Sequence, residues 1–172
     1  MLTPRQQAIS YCLDGIDQHA DHAYPWPGPT LLAVLREAPV PGHPDPTARH
    51  ISVATAPRTA TQTAHTDDPV AVLRHAVEDL HQPAVQASLV THTGPIRIVA
   101  WVFMHAAATD AVDPPQLVRY VHAVDDNGAS YVLTRFRDQP KGLTAIDDDP
   151  QAGTDDVLDL LLTLARLLRP ST

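Results

Sequence analysis

Cysteine and long apolar runs are nearly missing from this sequence, and each absence removes a class of structure. Cys12 is the one cysteine among 172 residues, which excludes an internal disulfide and any zinc or iron–sulfur site that needs several thiolates. No segment approaches the roughly 18 consecutive apolar residues of a membrane-spanning helix. The first residues show no basic segment followed by an apolar run. We therefore expect a cytoplasmic protein that makes no membrane contact.

The motifs of familiar enzyme chemistry are also missing. With seven glycines, the chain has neither the Gly-x-x-x-x-Gly-Lys loop that cradles phosphates nor the Gly-x-Gly-x-x-Gly turn of dinucleotide sites. Its serines include no Gly-x-Ser-x-Gly nucleophile, and Cys12 lies on an apolar helix stripe, where a buried unreactive thiol is expected. We assign no catalytic residue and no cofactor, and we favour a protein that is not an enzyme.

Positive charge is scarce and dispersed. The chain has 12 lysine and arginine residues against 20 aspartate and glutamate residues. A nucleic acid or an anionic membrane surface requires a concentrated basic face, so this acidic chain is not expected to bind either. A local patch made by Arg119, Arg135 and Arg137 on neighbouring strands stays open as an exception. Abundant alanine, proline and arginine indicate a GC-rich genome.

The remaining composition is that of a globular protein. Hydrophobic residues make up 44% and charged residues 19% of the chain, a balance typical of folded proteins. A chain of this length fits one domain that buries roughly 68 to 70% of the surface its unfolded state exposes. We predict a single globular domain over residues 1–172, with residues 39–48 and 55–67 as loops.

Three helices are indicated by caps and by apolar spacing. Thr3 and Pro4 suit the start of the first helix, whose apolar residues recur at helical spacing to about residue 20. Asp68 and Pro69 begin the second helix in the same way. Thr154 is predicted to cap the last helix, which has acidic residues in its first turn and arginines in its last.

Six segments are predicted to be strands. Residues 30–37 also contain helix-favouring residues, and we assign a strand because the run is short and lies between prolines. The segment 96–105 is apolar on both faces and is expected at the centre of the sheet. The other predicted strands are 51–53, 85–91, 117–124 and 130–137, with an Asn-Gly hairpin turn between the last two.

These elements predict an α+β fold. Its centre is a mostly antiparallel sheet of five to seven strands with helices packed on it. The element order along the chain is α-β-β-α-β-β-β-β-α.

Aromatic and histidine side chains on the predicted central strands are candidates for a ligand pocket. Trp101, His105, Tyr120 and His122 lie on predicted central strands from which a site could be assembled. A histidine near a strand end can act as a general base, although an exposed histidine is the simpler interpretation. These four residues support the alternative that the protein is a small-molecule-binding domain or a small enzyme with its site on the central sheet.

His19 and His22 support a further alternative, a metal-binding protein. At a spacing of three residues on a helix end, both imidazoles can face one side and reach one metal ion. A metal site needs a third ligand, and the sequence identifies none. Solvation of the helix C-terminus, where a histidine complements the helix dipole, is the simpler interpretation.

The last predicted helix is apolar around most of its circumference. Leu160, Leu164 and Leu167 extend its apolar surface beyond the stripe that a single sheet covers. Such a helix is either buried on several sides within its own domain or contributes to an interface. We favour an accessory or interaction module that acts through protein–protein contacts, as a homodimer or with another protein.

Overall fold

The computed structural model describes residues 2–56, 68–82, 96–109, 114–153 and 155–168. Within them lie three helices, α1 (Pro4–Ala23), α2 (Pro69–Leu80) and α3 (Asp156–Arg166). The six strands are β1 (Leu31–Pro39), β2 (Arg49–Thr55), β3 (Arg97–Thr109), β4 (Gln116–Asp125), β5 (Ser130–Phe136) and β6 (Leu143–Asp147). The predicted α+β class and the predicted element order are confirmed.

The six strands form one antiparallel sheet in the order β2-β1-β3-β4-β5-β6. β3 lies inside this sheet, and its residues 99–105 are all buried, as the continuous apolar run in the sequence predicts. The pairing of β3 with β4 sets His105 opposite Tyr120 and Phe103 opposite His122.

Helices cover the sheet from both sides. α1 packs on one face, which we call the α1 face, where its apolar stripe meets alternate residues of the strands. α2 and α3 pack against each other and on the opposite face, which we call the α2/α3 face. Because side chains alternate along a strand, Met104 lies on the α1 face, whereas Phe103 and His105 lie on the α2/α3 face.

Local hydrogen bonds explain where the helices begin. The Thr3 hydroxyl accepts from an amide in the first turn of α1, and the Gln6 side chain accepts from the Thr3 amide, which completes a capping box. Asp155, and not the predicted Thr154, caps α3, because its Oδ1 accepts from two amides of the first turn at 2.7 and 3.2 Å. Thr154 itself lies outside the described residues. Within the described part of the chain, no helix is long and apolar enough to cross a membrane.

The individual strands differ from prediction in two places. Residues 85–91, predicted as a strand, lie outside the described residues. Leu143–Asp147, where no strand is predicted, forms β6 at one edge of the sheet. The side chains of β6 alternate between exposed and half-buried, so this short segment has no apolar run to mark it.

Candidate functional site

An apolar cavity of about 310 Å³ lies between the C-terminal half of α1 and the α1 face of the sheet. Nearly all of its lining surface is carbon. Its walls come from one helix and three strands, so residues far apart in sequence meet there. The lining includes Gly15, Ile16 and Ala20 of α1, Leu31 of β1, Val53 of β2 and Met104 of β3.

Gly15 lines this cavity and is itself exposed. It lies inside α1, where glycine costs roughly 0.5 to 1 kcal/mol relative to alanine. Apart from the adjacent residues and the backbone of its own helix, a Cβ atom at this position would meet no atom within 4 Å, so the packing of the chain does not require glycine there. A glycine inside a helical pattern is the sequence signal that could have pointed to this place, and no role was predicted for Gly15.

The rim of the cavity carries its polar groups. Tyr24 and Val53 are 47% and 43% exposed, and His19 is also exposed. The rings of His19 and Tyr24 meet edge to face, with their centroids 6.4 Å apart. An imidazole and a phenol at the mouth of an apolar cavity can bind a polar group of a ligand whose apolar body lies inside.

A buried ion network fixes α1 to the sheet beside this cavity. Asp17 of α1 lies between two arginines: Nη1 of Arg119 donates to its Oδ1 at 2.6 Å, and Nη1 of Arg135 donates to its Oδ2 at 2.7 Å. Arg135 also donates to Asp21 at 2.8 Å. Two carboxylates therefore balance two guanidinium groups, and burial is tolerated because every charge is paired.

Arg119 is fully buried and also contacts the proline-rich segment after α1. Its guanidinium carbon lies 4.6 Å from the ring centroid of Trp26, a cation–π distance, and its Nε donates to the carbonyl of Pro27 at 2.6 Å. Arg119 and Arg135 therefore form no basic surface patch with Arg137, because their charges are buried and paired with aspartates.

A second, polar cavity of about 230 Å³ lies where the start of α1 meets the hairpin of β4 and β5. Asp125 is buried there and accepts hydrogen bonds from the amides of Asn127 and Ala129 and from the Tyr131 hydroxyl, at 2.9, 3.0 and 3.1 Å. Arg5 lies 3.8 Å from its Oδ2. The hairpin itself satisfies this carboxylate, so we interpret the cluster as structural.

Four aromatic rings form a cluster on the α2/α3 face, in which Phe103, His105 and His122 are buried and Tyr120 is half-buried. The Nε2 atoms of His105 and His122 lie 3.2 Å apart, and the two residues are 9% and 6% exposed. His105 is stacked against Phe103 and Tyr120, with centroid distances of 5.4 and 5.5 Å. Burial lowers the pKa of both histidines, and the neighbouring His105 helps to lower the pKa of His122 to about 4. The pair is therefore neutral at pH 7.

No relative identifies either cavity or cluster. Comparison with protein-family models, with curated proteins and with solved structures gives no match. A function for this chain therefore has to be argued from its own geometry.

The structure brings together three of the four residues predicted for a sheet pocket. His105, Tyr120 and His122 contact one another, while Trp101 is fully buried on the same face. None of the four lines the apolar cavity or the polar cavity. Their role as ligand contacts stays a prediction, and the apolar cavity lies on the opposite face of the sheet.

His19 and His22, the two histidines predicted to bind a metal ion, lie in different environments. Nδ1 of His22 donates to the carbonyl of Gln18 at 2.7 Å, whereas His19 lines the apolar cavity. In residues 2–56, 68–82, 96–109, 114–153 and 155–168, no group of three or more His, Cys, Asp or Glu side chains could hold a metal ion. These residues therefore provide no third ligand for a metal ion bound by His19 and His22.

The three predicted interface leucines differ in burial. Leu164 is fully buried in the core of its own chain, and its role in an interface stays a prediction. Leu160 and Leu167 are half-buried and pack at the edge of the same core. These two residues keep exposed surface that a partner can contact.

Proposed function

We propose that this protein binds a small apolar molecule in the cavity between α1 and the sheet. The observation that carries this proposal is a carbon-lined cavity of about 310 Å³ that opens to solvent at the exposed residues Gly15, His19 and Tyr24. An open apolar cavity exposes carbon surface to water, and a ligand that covers this surface gains the free energy of removing it from water. Ligand pockets of roughly 300 to 1,000 Å³ have the same character, with apolar walls and a few polar groups. A ligand therefore explains this cavity better than the packing of the chain alone.

The size and the lining of the cavity indicate the class of ligand. Its volume is about twice that of an engineered cavity of roughly 150 Å³ that binds benzene, so a molecule with one or two aromatic rings or a short alkyl chain fits. A hydroxyl or carbonyl group of the ligand would meet His19 and Tyr24 at the rim. A charged ligand is not favoured, because no Asp, Glu, Lys or Arg of the described residues lines the cavity.

Filling the cavity tests the proposal. Gly15→Leu places an isobutyl group in the open space, whereas Gln18→Leu adds the same side chain at an exposed position of α1 outside the lining. Indole serves as the probe, and its binding is measured by titration calorimetry and ligand-observed NMR. We expect Gly15→Leu to weaken indole binding at least about tenfold, a loss of roughly 1.4 kcal/mol, and Gln18→Leu to leave it unchanged.

Two results would contradict ligand binding in this cavity. One is a wild-type protein that binds neither indole nor ethylbenzene nor hexanol at millimolar concentration. The other is a folded Gly15→Leu variant that binds indole as tightly as the wild type does. Circular dichroism of each variant verifies that it is folded.

Half-buried leucines on α3 favour a second candidate function, homodimerisation. Leu160 and Leu167 keep exposed surface at the edge of the core, and symmetric dimers are built on self-complementary patches of this kind. Sedimentation velocity should show a wild-type dimer that Leu160→Gln with Leu167→Gln converts to a monomer. Leu143→Gln, at the β6 edge where Leu143 is 74% exposed, is the matched control. A wild-type protein that stays monomeric at high concentration would contradict homodimerisation. The cytoplasmic location stays a prediction for either function.

A further inference from the structure

The two histidines on the α2/α3 face form a hydrogen-bonded pair. Their Nε2 atoms lie 3.2 Å apart, and their ring planes are inclined by 16°. At this distance one imidazole donates and the other accepts, which requires at least one unprotonated Nε2. The antiparallel register of β3 and β4 holds the pair, because it sets Phe103 opposite His122 and His105 opposite Tyr120.

The elements around the pair provide the groups that affect its protonation. β3 provides Phe103 and β4 provides Tyr120, whose rings are stacked on His105. α3 packs on β3 and β4, and its cap Asp155 is the charged side chain that acts on both imidazoles. Burial lowers the pKa of both histidines, and this effect exceeds the opposite effects of Asp155 and of a backbone hydrogen bond at Ala106. Among the described residues, Asp155 and Tyr120 are thus the titratable neighbours of the pair.

We propose that the pair of His105 and His122 is an acid-sensitive lock, which keeps the first turn of α3 docked on β3 and β4 while both imidazoles are neutral. The first added proton can bind at Nδ1 of the donor imidazole and leave the hydrogen bond between the two Nε2 atoms in place. A second proton removes the last acceptor and leaves two positive charges 3.2 Å apart in a buried site. The N-terminus of α3 adds a partial positive charge. The pair then separates, and the start of α3 moves away from the sheet.

Release of α3 exposes apolar surface on both partners of this contact. Val157, Leu161 and Leu164 of α3 are buried in one cluster with Trp101 and Phe103 of β3. Acid therefore converts a buried helix face into an accessible apolar one. This lock is independent of the ligand cavity, which lies on the α1 face.

The wild-type protein provides the first test. We expect NMR titration of the imidazoles to show that His105 and His122 take up protons below the ordinary histidine pKa of about 6.5. Amide exchange, corrected for its intrinsic pH dependence, should rise in α3 at a higher pH than in α1. The lock is overturned if both histidines titrate near the ordinary pKa of about 6.5, or if α1 and α3 lose protection at the same pH.

Matched variants provide the second test. His105→Phe with His122→Phe replaces the pair by rings that cannot titrate, whereas His50→Phe removes an exposed histidine. From about pH 6 to 4.5, the unfolding equilibrium constant of the wild type should rise about 10- to 100-fold more per pH unit than that of the double variant, because unfolding takes up one to two additional protons. His50→Phe should keep the wild-type slope. Equal slopes in the wild type and the double variant would overturn the lock, and the wild-type NMR titration decides the question if the double variant does not fold.

Discussion

Arg119 and Arg135 lie directly opposite each other on β4 and β5, with both guanidinium groups buried on the α1 face. Like charges in this position repel unless a carboxylate lies between them. Asp17 lies between the two guanidinium groups, because each of its two carboxylate oxygens accepts a hydrogen bond from one of the arginines. The network fixes α1 near the residues that form the wall of the apolar cavity, so the geometry of the cavity depends on these charges.

Replacing Asp17 with asparagine would leave two buried guanidinium groups short of one negative charge. Loss of one partner of a buried ion pair costs about 3 to 5 kcal/mol, so we expect the free energy of unfolding to fall by about that amount in urea titrations. Asp14→Asn makes the same chemical change on the same helix outside the network and should cost under about 1 kcal/mol. Similar losses in the two variants would contradict the role assigned to Asp17.

Gly15 and Gly28 predict opposite responses to the same substitution. Gly15→Ala adds a methyl group to a helix interior with open space around it, and should raise the free energy of unfolding by about 0.5 to 1 kcal/mol. Gly28→Ala fits beside Ala20 and Arg119, but the φ of 90° at Gly28 disfavours alanine and should cost about 1 to 2 kcal/mol. Urea unfolding of both variants checks the signs. If both substitutions raised or both lowered the free energy of unfolding, either the open space assigned to Gly15 or the backbone strain assigned to Gly28 would be wrong.

Local sequence signals were sufficient to predict most of the fold. The helical spacing of Ile9, Leu13 and Ile16 predicts the face of α1 that is buried. The pair Asn127 and Gly128 predicts the turn between β4 and β5, where Gly128 has a φ of 97°. Each of these signals spans a few residues, so the physical preference that it reflects can be read without knowledge of the rest of the chain.

The candidate sites could not be predicted in the same way, because they depend on residues that meet only in the folded chain. Asp17 and Arg119 are separated by 102 residues, and no local pattern marks a buried arginine. His105 and His122 were predicted as candidate residues of one pocket on the central strands. The direct approach of their Nε2 atoms and their burial under α3 depend on register and helix packing, which the sequence pattern does not specify.

Gly142, just before β6, leaves room for Leu133 of β5. A Cβ atom at Gly142 would overlap the Leu133 side chain, at 2.7 Å from its Cγ, and Leu133 is fully buried in the core of the α1 face. Gly142→Ala therefore forces this core to shift and should cost about 1 to 3 kcal/mol. In a double-mutant cycle measured by urea unfolding, that cost should largely disappear in the Leu133→Ala background. A cost that is unchanged in that background would point to a cause other than this overlap.

Tyr131 predicts a loss of stability at alkaline pH. Burial raises the pKa of its phenol, and the charge of Asp125 and the hydrogen bond to it raise that pKa further. Above the ordinary tyrosine pKa of about 10, the unfolded chain releases a proton that Tyr131 of the native protein retains. The free energy of unfolding should therefore fall as the pH rises, by up to about 1.4 kcal/mol per pH unit for this group.

Two phenylalanine variants separate this effect from those of the other tyrosines. Tyr131→Phe should be less stable than the wild type at pH 7 by about 1 kcal/mol, because Asp125 loses a donor. The difference should shrink above pH 10, because the variant has no phenol at this position to ionise on unfolding. Tyr11→Phe, at a residue that is 79% exposed, should keep the wild-type slope. If urea unfolding gives parallel curves for the wild type and Tyr131→Phe, Tyr131 ionises in the native protein as readily as in the unfolded chain.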